Sequence, residues 1–111
     1  MAKLYRLNEI SPSSRATFFD RNELGQLLSL YSRQVANGQW RDYAIDQQGG
    51  NVVFSVFRHT HDAPAFRIAK QPERGAAGNA YVVSSGAETL IQANTMTEAL
   101  SVFGGSLRVV S

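Results

Sequence analysis

Hydrophobic positions along the chain change period once, close to Trp40, and the change separates a helix from a run of strands. In FFDRNELGQLLSLYSRQVANGQW, Leu24, Leu27, Leu28, Tyr31 and Val35 recur at the three- and four-residue intervals of a single helix face. Asp20 stands where a side chain caps a first turn, Glu23 three residues on can return the bond, and Phe19 can staple onto Leu24. Asn37-Gly38 offers a left-handed stop. The pattern predicts a helix over 21–36.

After Trp40 the period is two. Tyr43 and Ile45 alternate with Ala44 and Asp46, Gly49-Gly50 makes a turn, and NVVFSVFRH continues as a second strand. HDAP then turns the chain into AFRIAKQ. If Phe54 and Val56 share a face with Phe66 and Ile68, that face is a continuous apolar surface suited to the first helix. The opposite face carries Val53, Phe57 and Arg67. A strand apolar on both sides is usually covered on both, so the second helix, the N-terminal arm or another copy of the protein is expected over Val53 and Phe57.

Beyond the Pro/Gly-rich loop PERGAAGN, AYVVSS and TLIQA read as another hairpin around Gly86. Thr95 and Glu98 repeat the capping-box spacing ahead of a short helix faced by Met96, Ala99, Leu100 and Phe103; Gly104-Gly105 ends it, and LRVV is expected as a last short strand. Residues 1–16 form an N-terminal arm or edge strand, and 17–111 form a single α+β domain. Its expected plan is an N-terminal amphipathic helix packed on an antiparallel sheet of four to five strands, with a short C-terminal helix and a final strand.

Composition narrows the function classes. A chain of 111 residues with 43% apolar residues can bury one real core. Eleven Lys and Arg against nine Asp and Glu leave a net charge of only +2, too small a field for strong electrostatic capture of nucleic acid. Cysteine is absent, which removes disulfides, thiolate catalysis and Cys-ligated metal and is compatible with a reducing compartment. The sequence has neither the apolar core of a secretory signal near its start nor a membrane-spanning run, so a cytoplasmic location and no membrane partner are expected.

FFDRNEL, LLSLYSRQVANGQWRDYAID, VVFSVFR and FRIAKQP together resemble an uncharacterised family of small bacterial proteins, a domain of unknown function marked by WRDYAID and VFSVFR. The likeness runs from about Phe18 to Val83; the elements after Ser84 rest on pattern alone. It implies a free-standing bacterial domain and supplies no catalytic residues.

Each candidate site has an ordinary reading beside it. His59, His61 and Asp62 in RHTHDAP are the nearest approach to a metal motif, since imidazoles two apart on an extended chain look to one side. They are the only histidines, the ligand set is incomplete, and a hairpin tip explains His, Asp and Pro equally well, so no metal or cofactor is expected. Asp42 and Asp46 can pair with Arg41 or Arg58 as surface ions. Double-stranded RNA binding is the main rival by element order, but NTMTEAL puts an acid and no base where phosphate-binding lysines are needed, which makes nucleic acid an unlikely partner. What remains is the sheet surface. Val53, Phe57 and Arg67, with Arg58 and Arg41, include the ring and guanidinium chemistry enriched at protein interfaces. The expected role is a small non-enzymatic binding or regulatory module, associating with itself as a homodimer or with a protein partner.

Overall fold

The computed structural model describes residues 17–59, 62–73 and 78–104. Helix α1 spans Arg21–Ala36 and begins in a complete capping box: the Glu23 N–H donates to Asp20 Oδ1 at 2.7 Å and the Asp20 N–H donates to Glu23 Oε1 at 2.8 Å. It ends as expected, with Asn37 as cap and Gly38 at φ 76°. Its buried line is rotated slightly from the expected stripe. Leu27 and Leu30 are sealed, flanked along the same row by Glu23 and Gln34, while Leu24, Leu28 and Tyr31 form a half-buried shoulder and Val35 is exposed.

Five strands follow: β1 (Asp42–Gln48), β2 (Asn51–Phe57), β3 (Phe66–Pro72), β4 (Asn79–Ser85) and β5 (Glu88–Ala93). Each pairs antiparallel with its sequence neighbour, giving the order β1-β2-β3-β4-β5. The β1–β2 turn is the two-residue loop Gly49-Gly50, with φ 60° and 90°; both values are the left-handed ones this tight turn requires. One register shift occurs, between Val83 and Ser84 in the β4–β5 pair.

Register settles which side chains share a face. Phe54 lies opposite Ile45 and Ile68, Val56 opposite Tyr43 and Phe66, and Ile68 opposite Val83. Phe54, Val56, Ile68 and Val83 are all fully buried and form one cluster with Leu27 and Leu30 of α1. The expected phase is therefore the one adopted. Trp40 closes one end of this core, with its ring against Tyr31, Phe66 and Phe103 at centroid distances of 6.5, 6.1 and 5.5 Å.

Helix α2 (Met96–Ala99) starts where Thr95 accepts a bond from the Glu98 N–H at 3.1 Å, then tightens into a 3₁₀ turn over Leu100–Phe103. Met96 and Ala99 join the same cluster as Leu27 and Phe54. Both helices thus pack on one face, and the second helix is not the cover over Val53 and Phe57. The expected arm over 1–16 and the expected final strand LRVV lie outside the described residues.

Phe54→Ala should lower stability by about 3–5 kcal/mol, because it removes a sealed ring from between sheet and helix. Val35→Ala, on the exposed side of α1, should stay within about 0.5 kcal/mol of the parent. Urea denaturation of the two variants gives the comparison, and the opposite ranking would show the core to be elsewhere.

Candidate interaction surface

Because β-strand side chains alternate, the residues between those of the core all look the other way. On that second face Phe57 sits at the end of β2 opposite Asp42, and Arg67 of β3 lies opposite Ser55. Phe57 is half-buried and Arg67 is exposed. Val53 is 5% exposed, between Asp46 and Ala69, so it acts as floor rather than contact. Arg41 and Arg58 flank the same end of the first hairpin and are exposed. Two bonds fix the backbone there: the Arg41 N–H donates to the Phe57 carbonyl at 2.7 Å and the Tyr31 hydroxyl donates to the Arg41 carbonyl at 3.0 Å. Phe57 and Arg67 therefore share this face, and Arg41 and Arg58, next in the chain to Asp42 and Phe57, stand at the same end of the first hairpin.

The expected surface ion pairs do not form. Among the described residues the ion pair is Lys70–Glu23, and Asp42 instead accepts from the neighbouring Tyr43 N–H at 2.8 Å. Arg41, Arg58 and Arg67 are left without a carboxylate partner among the described residues. His59 follows β2 on a bend closed by the Asp62 N–H donating to its carbonyl at 3.2 Å, and His61 lies outside the described residues. No group of three or more His, Cys, Asp or Glu placed to hold a metal occurs among the described residues.

One arrangement was not anticipated. Glu23 is expected only as a cap, yet its carboxylate also receives Lys70 Nζ at 2.7 Å on Oε1 and the Tyr81 hydroxyl on Oε2. Lys70 Nζ donates in addition to the Phe18 carbonyl at 2.9 Å. Burial pushes the Glu23 carboxyl up, but the bonds from Lys70, Tyr81 and the Asp20 N–H outweigh it and hold the group below the ordinary carboxylate value. Burial first, then the Glu23 carboxylate, pushes the Tyr81 hydroxyl up to about 12. The visible signal was phase: Lys70 follows Phe66 and Ile68 at two-residue steps, a cation in a core position. With each carboxylate oxygen bonded, the network is a tie between α1, β3 and β4.

A concavity lies between α1 and the C-terminal helical turn, lined by Arg21, Gln26, Ser29, Arg33, Thr97 and Ser101 among others. A Thr97 hydroxyl to Gln26 Oε1 bond of 3.0 Å spans it, and its described lining contains no carboxylate or imidazole. No described helix is long and apolar enough to cross a membrane.

A five-stranded antiparallel meander with both described helices on one face defines a small α+β domain. The chain belongs to the family described as "Protein of unknown function (DUF2794)", whose profile matches residues 17–100. The match reaches from the residues leading into α1 through α2, beyond the stretch on which the resemblance rested. Neither the curated proteins nor the solved structures give a match to the chain.

Lys70→Met leaves the Glu23 carboxylate buried without its cation and should cost about 3–5 kcal/mol in urea denaturation. Glu23→Gln/Lys70→Met should regain most of that loss, since Gln keeps the helix cap and no buried charge is stranded. The parent's pH dependence follows from the same bonds. The Glu23 contribution is present above the ordinary carboxylate value and is lost as pH falls through its lower folded value. The Tyr81 contribution is present below pH 10.0 and is lost between 10.0 and about 12. Thermal melts across pH should show both edges, the upper one reduced in Tyr81→Phe to what the Tyr31 hydroxyl, also raised by burial, contributes.

Proposed function

We propose that the protein is a non-enzymatic association module whose contact surface is the end of the sheet face opposite α1 and α2, built by Phe57 and Arg67 with Arg41 and Arg58 beside it. The observation that carries this reading is one-sidedness: α1 and α2 share a single face, and the other carries the half-buried Phe57 ring and the exposed Arg67, with exposed Arg41 and Arg58 at the same end of the hairpin and no carboxylate partner for any of the three among the described residues. A planar cation and a ring present much contact area at modest entropic cost, which is why both are enriched at protein interfaces. The chemistry that fits is a protein surface offering carboxylates around an apolar patch. With no cysteine to oxidise, a reducing compartment suits the chain, and the reading places it in the cytoplasm.

Phe57→Asp and Arg67→Glu should each weaken association at least tenfold while leaving the circular dichroism spectrum unchanged. The measurement is light scattering after size exclusion for self-association, together with pull-down from the source cell for a heterologous partner. Association that survives both substitutions at full strength would remove this face from the reading.

A further inference from the structure

Among the described residues the sheet has two outer strands, and they are defended differently. Beside β5 the pairing is interrupted by the register shift at Val83/Ser84. Strand β1 has seven residues, DYAIDQQ, in unbroken register with β2 and contains no proline, no lysine and no irregularity. Those are among the usual devices that keep an outer strand from pairing with another chain; of the rest, β1 carries only the charges of Asp42 and Asp46. Among the described residues, its outward edge is unpaired. Exposed apolar side chains stand beside it: Phe18 is 67% exposed, Ile45 43% and Tyr43 39%. Phe18 and Ile45 line the same shallow hollow.

Backbone direction can be read from the bonds. Phe57 of β2 turns its carbonyl toward β1, to the Arg41 N–H, whereas Val56 turns its carbonyl toward β3, to the Ala65 N–H. In an antiparallel pair such groups alternate, so Asp42, Ala44, Asp46 and Gln48 bond to β2 while Tyr43, Ile45 and Gln47 point their N–H and C=O outward. The Tyr43 N–H, bonded to its neighbour's Asp42 carboxylate, agrees with that direction.

We infer that this edge pairs with the same edge of a second copy, antiparallel about a dyad through Ile45. The inference rests on the reading of the chain as an association module, not on the face named there. A dyad at Ile45 sets Ile45 against Ile45 of the partner subunit and Tyr43 against Gln47 of the partner subunit, the pairs whose main-chain groups point outward, with two bonds at each pair once the Tyr43 N–H exchanges its bond to Asp42 for one across the edge. Asp42 falls opposite Gln48 of the partner subunit, and Asp46 opposite Ala44 of the partner subunit. No like charges are opposed. Moving the dyad to Ala44 sets Asp42 against Asp46 twice, and moving it to Asp46 sets that carboxylate against its own copy; like charges directly opposite are destabilising in a sheet. The charge pattern of β1 thus disfavours both adjacent registers, and of the registers left the one centred on Ile45 pairs the whole strand, Asp42 to Gln48. The dyad stands normal to the sheet, so the helices of both copies lie on the same side of one continuous sheet.

Sedimentation of the full chain over a range of concentrations tests this. The parent should dimerise, and Ile45→Pro should weaken the dimer at least tenfold while keeping the fold, because the N–H it removes points away from β2. Ile45→Lys, which keeps the N–H but opposes two cations at the dyad, should do the same if the proline variant misfolds. Since the chain has no cysteine, Ile45→Cys should give a single disulfide-linked dimer under mild oxidation, and Val35→Cys should not. A monomer at all concentrations, or a dimer indifferent to both Ile45 substitutions, would overturn the inference. So would a monomer whose Ile45 and Gln47 amides resist hydrogen exchange, because the edge would then have another occupant, residues 1–16 of the same chain among them. Phe57→Asp separates the two readings: association lost there but kept in the Ile45 variants sinks this inference alone, and the reverse sinks the sheet-face reading alone.

Discussion

The tie from Glu23 to Lys70 and Tyr81 fixes how the helix sits on the sheet. One carboxylate caps α1, takes an ammonium from β3 and takes a hydroxyl from β4, so the start of the helix is held against two strands by charge-assisted bonds. Apolar packing alone is non-directional and would tolerate a helix that slides or turns on Phe54 and Ile68. A buried carboxylate does not tolerate it, since any displacement strands a charge away from water. That constraint explains why the buried row of α1 runs through Glu23, Leu27, Leu30 and Gln34 rather than through the more apolar row beside it.

With the helix held in that orientation, the rest of the asymmetry follows. Leu27 and Leu30 cover the middle of the sheet, Trp40 and Phe103 close one end, and α2 brings Met96 and Ala99 onto the same side. Strand β1 lies at the border of this cover: Tyr43 still reaches the Tyr31 and Phe54 rings, at 4.8 and 5.1 Å, while Ile45 keeps much of its surface in solvent. The apolar character of the first hairpin is therefore divided, sealed in the core at β2 and partly in solvent at its outer neighbour.

Most of the architecture was legible in the chain because its signals are local. The capping residues Asp20 and Glu23, the Asn37-Gly38 stop, the Gly49-Gly50 turn and the alternation of Phe54 with Val53 each act within a few residues, and each element they announce is present. What was not legible depends on contacts between distant positions. Lys70 and Glu23 are far apart in sequence, so nothing near either shows that the cap is also an ion-pair partner. The cover expected over Val53 could not be assigned to α2 or refused to it without knowing on which side that helix returns. Ile45 alternates as a core residue does, and only its place on an outer strand leaves it in solvent.

The neighbour-to-neighbour order of the strands also bears on how the domain assembles. Among the described residues every ladder joins segments separated by one turn or loop, so none of these pairings has to wait for a distant stretch of chain to be captured, and the entropic penalty of large loop closure falls on docking the two helices. The tight diglycine turn gives β1 and β2 a natural place to begin, and alignment set there passes outward strand by strand. A chain built in this manner can align its first hairpin before the helix has come to rest on it, so that the seat for α1 is in place when the helix docks.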